Sequence, residues 1–436
     1  MPGETASLAR RYGLATAVAI IVGQVIAVGI FLVPAGMARS VGSPALLFGI
    51  WILMGVMTLC GALCYSELSS RFPEAGGSYV YLREAYGDAV AFLYGWIVLL
   101  VLDPGLTAIF AIGLMSYLDR IIPIAPTWQP VFAAFVVAAV ATLNIVGARL
   151  SGSILKVLTW TKIAFLFFIV FYGFLSARGS GENLSPFFAV PTDIVGAMAG
   201  GLVGAFFSFA GWWELTRIAG EIREPERNLP RALIIGVLIL TATYIAVSAV
   251  FMYLVPVGNI TNDETFAAQV GETLFGSAGV VVFSTVVVAS VLGSLIAYMM
   301  VSPRLYYAMA RDGLFFRGIA AIHPKFETPY RAIAIQAGLG IALIFLGTFQ
   351  EILSLFFFVV VLFIAGTVAS ILVFRRQGTA TFMTPLYPLP PLVFLLITAV
   401  VLFFIGMRDP IRTLIGIGLV FLGLPVYYLF RTRRGN

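Results

Sequence analysis

The chain has 436 residues, of which 61% are hydrophobic and 11% charged, with a net charge of +6. Soluble domains carry about 25% charged residues, so this composition excludes an ordinary soluble enzyme and describes a polytopic membrane protein. The positive balance is no nucleic-acid footprint, because the basic residues fall into loops by topology rather than onto one face.

Apolar runs of membrane length occupy residues 14–35, 44–69, 89–118, 127–147, 155–176, 193–219, 232–256, 277–309, 332–349, 351–374, 389–407 and 411–430. They predict an all-α membrane protein of twelve transmembrane helices in one domain, 1–436. The odd-numbered loops hold only Arg39, Arg120, Arg178, Arg408 and Arg412. Apart from Lys162 inside a span, the other Arg and Lys residues fall at the N-terminus, in the even-numbered loops or in the C-terminal tail. That bias predicts a multi-pass protein of the cell membrane with both termini in the cytoplasm. The single histidine, His323, and the cysteines Cys60 and Cys64, four apart in one run, suggest neither a disulfide framework nor a zinc site. No metal or cofactor is expected. The bilayer is an expected partner, nucleic acid is not, and monomer and homodimer both stay open.

In the first span Gly23, Gly29, Pro34 and Gly36 weaken the helix. A break near Ala27–Gly29 would aim free amide groups at an anion. The alternative is a flexible, closely packed helix. Span three carries Asp103 beside Pro104 and Gly105 at membrane depth. Asp103 could bind a substrate ammonium, pair with Lys162 or carry a proton, or only cap a helix broken at Pro104. Lys162 lies inside span five, where an ionisable residue is costly and marks function by default. It could hold and release a proton, or snorkel to the cytoplasmic face. Span six contains Phe207, Phe209, Ala210, Gly211, Trp212, Trp213 and Glu214. Gly211 lets this helix open, and an opened backbone in lipid must line a watery cavity or be buried in protein. The aromatics would wall that cavity or simply pack. Glu214 would cap the inner half of the span or face the cavity.

The interrupted spans, one and six, stand five apart. Five is odd, so the second set of five spans, 6–10 (about 193–374), runs with opposite topology to the first, 1–5 (about 14–176), and 389–430 adds two further helices. Corresponding interruptions in two halves point to a binding site at the midplane. The loop acids Glu67, Glu74, Glu221, Glu224 and Glu226 lie among Arg71, Arg83, Arg223, Arg227, Arg231 and Arg311. They read as a cytoplasmic gate, for which Glu67, Arg71, Glu221, Arg223 and Arg311 are the candidates, or as solvated loop charges.

Five segments carry a family resemblance: Gly29-Ile30-Phe31, 67–79, Phe209-Ala210-Gly211-Trp212, 221–230 and 302–313. On these the chain resembles the amino acid–polyamine–organocation transporter superfamily, close to its amino-acid permease branches, over nearly its whole length. The resemblance implies two inverted five-helix repeats with spans one and six unwound at the centre. It implies an amino acid substrate whose carboxylate lies on the first break, with its ammonium on carbonyls of the sixth. The substrate site would comprise Val25, Ala27, Val28, Gly29, Ile30, Asp103, Phe207, Phe209, Ala210, Gly211, Trp212, Trp213 and Tyr298. Tyr298 falls where relatives place an aromatic gate. Similar proteins carry Gly-Ser-Gly where this chain has Ala27-Val28-Gly29, which removes a hydroxyl and puts substrate identity in doubt. By resemblance Lys162 occupies the place of a coupling sodium ion, with Ser290 and Ser294 beside it. Sodium-independent carriage follows, coupled to protons, facilitative or by exchange. Neutral amino acids are favoured because the expected pocket is mostly apolar. A cationic amino acid or polyamine carrier and a substrate-gated sensor or channel are the rival readings. No catalytic set or phosphate-binding loop is present, so neither an enzyme nor ATP-driven transport is expected.

Overall fold

The computed structural model describes residues 8–27, 29–260, 266–346, 349–378, 380–408 and 410–434, with side chains omitted at 32, 148–149, 349–356 and 431–434. Val28, one of the expected substrate residues, lies outside the described residues. The described part is helical, with one isolated backbone bridge between Tyr12 and Ile222. Ten helices are long and apolar enough to cross a membrane, and Leu14–Val25 and Tyr330–Leu346 are shorter apolar helices. The protein is therefore a multi-pass integral membrane protein. Bulky side chains such as Phe135, Phe171, Leu396 and Leu414 stay exposed on the outside. An apolar outer surface of this extent suits lipid rather than water.

The expected first span is two helices, α1 (Leu14–Val25) and α2 (Gly29–Val41). Ile26 closes α1 with ψ 73°, so the ladder stops there. Helix α3 (Pro44–Arg71) starts with Ser43 accepting from the Leu46 amide and Pro44 in the first turn, where its missing N–H costs nothing. A short α4 (Ser78–Tyr86) leads to α5 (Asp88–Ile97) and α6 (Asp103–Leu118). Between these two, Val98–Leu102 form a π turn. Pro104 therefore does not break span three, contrary to the capping alternative. It sits in the first turn of α6, and the π turn accommodates it.

Helices α7 (Gln129–Val146) and α8 (Ala148–Leu175) complete the first set of five spans. Helix α8 and α10 (Pro225–Leu254) both begin well before their apolar runs. Charged residues at a helix end lower hydropathy without stopping the helix, and Pro225 is at home in a first turn. Between them lies α9 (Ile194–Phe209), capped by the Asp193 carboxylate on the Gly196 amide at 2.9 Å. It gives way at Ala210–Gly211 to a 3-10 segment, Trp212–Glu221. The remainder is α11 (Phe266–Phe275), α12 (Ser277–Val301), α13 (Pro303–Arg311), α14 (Tyr330–Leu346), α15 (Phe349–Phe374), α16 (Leu389–Arg408), α17 (Pro410–Phe421) and α18 (Gly423–Arg434). The expected last span is thus two helices meeting at Leu422.

Helix α1 packs on α8, α10 and α12, α2 on α9, and α6 on α12 and α14. The two interrupted spans are thereby brought side by side at the centre of the bundle. The residues before α1 also dock on the far end of the 3-10 segment. The Arg11 and Tyr12 amides donate to the Glu221 carbonyl at 2.8 and 3.0 Å, and the Arg223 amide donates to Tyr12 at 2.9 Å.

Candidate functional site

The two interruptions are held open by different means. At the first, Lys162 of α8 reaches the end of α1. Its ammonium lies 2.6 Å from the Ile26 carbonyl, 3.0 Å from that of Gly23, 3.2 Å from that of Ser290 and 3.3 Å from the Ser294 hydroxyl. The Ser294 hydroxyl is 2.6 Å from the Gly23 carbonyl, and that of Ser290 is 3.3 Å from the Ile26 carbonyl. A helix that stops in the interior leaves carbonyls unpaired, and here a buried cation and two hydroxyls take them. The sequence anticipated this grouping of Lys162, Ser290 and Ser294. Snorkelling is corrected: Lys162 is 2% exposed and points to α1 rather than to a surface.

At the second interruption Gly211 adopts φ 105°, a left-handed conformation in which any Cβ is strained. The Tyr244 hydroxyl of α10 donates to the Ser208 carbonyl at 2.7 Å and lies 3.2 Å from that of Val25, so α10 braces both breaks. Gly29 faces Ser208 across the gap, and a Cβ there would come 3.3 Å from the Ser208 Cα.

A cavity of about 720 Å³ opens between the breaks. Of the expected substrate residues, Val25, Ala27, Gly29, Phe207, Ala210, Gly211, Trp213 and Tyr298 line it, as does Glu214. Four others do not. Ile30, in the first turn of α2, is buried in the core. Phe209 packs against Trp51 and Tyr244, with ring centroids 6.0 and 5.1 Å away. Trp212 stands edge-on to Tyr65 at 5.0 Å. The register of α9 turns Phe209 into the bundle, and the turn at Gly211 does the same for Trp212.

Asp103 is the fourth, and it pairs with Arg217 rather than with Lys162. The Arg217 guanidinium lies 2.9 Å from one Asp103 oxygen and 2.5 Å from Glu214. The Tyr298 hydroxyl donates to Asp103 at 2.6 Å, and the Tyr306 hydroxyl donates to it as well. Trp213 Nε1 donates to Glu214 at 2.8 Å. All three charged groups are buried. This cluster floors the cavity and ties α6 to the 3-10 segment. Reading Arg217 as a loop cation was therefore wrong. Its place three residues after Glu214 was the available signal, since such a pair shares a helix face.

The expected gate is only partly an ion-pair network. Glu67 pairs with Arg375 at 2.6 Å and accepts from the Thr384 amide at 2.7 Å. Glu221 pairs with buried Arg304 at 2.7 Å, and Arg311 with Glu74 at 2.8 Å. Arg83 joins Asp312. Arg71 instead donates to the Phe374 and Gly378 carbonyls at 2.9 and 3.1 Å. Arg223 is exposed and contributes its backbone to Tyr12. Sequence reasoning missed Arg304 and Arg375 as partners, because the chain brings them in from far away. It also missed Gln24, the polar side chain beside Gly23 in an apolar run.

A bundle whose two broken spans face each other across a closed-floored cavity defines a class, the helix-break membrane carriers. The model of the amino acid permease family matches residues 12–423, and the chain belongs to that family. It is similar to the serine/threonine exchanger SteT of Bacillus subtilis, 26% identical over the full length of both chains. It is also similar to the Asc-type amino acid transporter 1 of Mus musculus, 29% identical over 98% of this chain and 82% of the relative. The large neutral amino acids transporter small subunit 2 of Homo sapiens is 28% identical over 98% and 81%.

Proposed function

We propose that the protein carries neutral amino acids across the cell membrane by alternating access, without sodium, by exchange or with protons. The observation that carries this reading is the pair of breaks facing one cavity, with the Lys162 ammonium seated on the α1 carbonyls. The first amides of α2 suit a carboxylate, and carbonyls around Ala210 suit an ammonium. A fixed cation at Lys162 leaves no charge deficit for a sodium ion to fill. The fold is read as two inverted repeats of five spans with the breaks at mid-membrane, plus two further helices, with both termini in the cytoplasm.

The conformation is taken as outward-facing. The cavity reaches Arg408 at the end of α16 and Arg412 at the start of α17, a junction that the distribution of basic residues assigns to the outside. At the other end Glu67–Arg375, Glu221–Arg304 and Glu74–Arg311 join different spans, and these contacts must part when the inside opens. The names of the relatives, which specify serine, threonine and large neutral amino acids, support neutral cargo. A cationic cargo is disfavoured, since Asp103 is out of the cavity and Glu214 already faces Arg217. Proteoliposomes loaded with unlabelled neutral amino acids test the reading. Labelled substrate should accumulate transiently with no net gradient, equally in sodium and in choline. Accumulation that never exceeds equilibrium would indicate a channel or sensor, and dependence on sodium would refute the role given to Lys162.

A further inference from the structure

Gln24 lies in the last turn of α1, is 4% exposed and lines the cavity. Neither its Oε1 nor its Nε2 has a hydrogen-bond partner among the described residues. A buried polar group without a partner costs about 1–3 kcal/mol, and a carboxamide has both a donor and an acceptor to satisfy. The amide rests against the second break, since a Cβ on Gly211 would come 3.4 Å from Nε2. Around it the wall is largely apolar, with Val25, Ala27, Phe110, Phe207 and Val360 among the lining residues. The other polar groups nearby are engaged: Ser208 donates to the Gly204 carbonyl, and Glu214 faces Arg217 and Trp213. Of the described side chains lining the cavity, Gln24 is the one with both polar atoms buried and unpartnered.

We propose that Gln24 reads the side chain of the cargo and selects neutral amino acids bearing a hydroxyl or a carboxamide over aliphatic ones of the same shape. The inference rests on the amino acid transport reading above. A neutral amide is a weaker partner for the charged main-chain groups of the substrate than the broken helix ends, which carry partial charges of the right signs. A hydroxyl or carboxamide gives and receives one hydrogen bond each way, which is what Gln24 lacks. An aliphatic side chain of equal volume leaves the amide stranded. A site built to hydrogen-bond its substrate rejects the analogue lacking that group far more strongly than an apolar pocket rejects an extra methylene.

The experiment compares isosteric pairs, threonine against valine and asparagine against leucine, as competitors of uptake in proteoliposomes of the full chain. Ligand-induced thermal shift of the purified protein gives a second readout. The wild type should favour the polar member of each pair by about ten- to hundred-fold, the equivalent of one stranded amide. Gln24→Leu and the more conservative Gln24→Met should each bring that ratio to within about two-fold of unity. Wild-type ratios near unity would overturn the proposal without any variant. So would variants that weaken both members of a pair equally, because Gln24 would then serve the main-chain end of the substrate or the packing of α1. If no amino acid of either kind competes or shifts the wild type, the transport reading itself fails and this inference goes with it.

Discussion

The first and the sixth spans are both broken, yet the two breaks are stabilised by opposite strategies. At the first, the backbone stops and the rest of the bundle comes to it: the Lys162 ammonium from α8 and the Ser290 and Ser294 hydroxyls from α12 collect the carbonyls of Gly23 and Ile26. At the sixth, the turn is intrinsic, set by the left-handed Gly211, and the segment after it brings its own ions, Glu214 and Arg217. From outside come Asp103, 114 residues away in sequence from Arg217, and the Tyr244 hydroxyl on the Ser208 carbonyl. One break depends on groups brought by packing, and the other mainly on its own conformation, with one long-range ion pair and the Tyr244 brace added. For a carrier this difference has a consequence. The sixth span carries Glu214 and Arg217 with it but must take α6 along or part from Asp103, whereas the first span is free to move only if α8 and α12 move with it or release it.

The comparison can be tested at five points. The largest effect is expected at Arg217→Met, which leaves two buried carboxylates facing each other without their cation. Removing one partner of a buried pair costs about 3–5 kcal/mol, so the melting temperature in detergent should fall steeply. Adding Asp103→Asn should recover part of that loss, and a double variant no more stable than Arg217→Met would show that the two residues are not coupled. Next is Lys162→Ala, which orphans carbonyls at about 1–3 kcal/mol each. Uptake should be lost or uncoupled while the protein stays folded, and unchanged proton dependence would refute a coupling role.

Gly211→Ala should cost about 1–2 kcal/mol from backbone strain alone. Gly29→Val, tight against Ser208 at 3.3 Å, should act on binding instead. Undiminished ligand-induced stabilisation in that variant would count against the first break as the binding site. The smallest effect belongs to Arg227→Ala, whose pair with Glu224 is 3.8 Å long and exposed at both ends. Such a pair is worth well under about 1 kcal/mol, so melting and uptake should both match the wild type.

The sequence by itself determined the class and the interrupted spans. Apolar runs of about twenty residues cross lipid as helices, because a helix pairs its backbone groups within its own segment and a barrel strand needs only about half that length. Gly29 and Gly211 mark the interruptions because glycine is where a helix loses least by opening. Lys162 was legible for a related reason: an ammonium in an apolar run must have a partner. Which partner it has was decided only by tertiary structure. Helical periodicity reports a face, not the element that face meets. Lys162 and Asp103 could therefore be read as a pair until packing set one on α1 and the other on Arg217. Trp212 and Trp213 are adjacent in sequence and equally aromatic, yet only Trp213 lines the cavity, because the turn at Gly211 fixes their rotation. The same holds for Gln24, an unremarkable polar residue in the chain. It became significant only when the bundle closed around it and left its amide without a partner, since burial and satisfaction are properties of contacts that one-dimensional order does not contain.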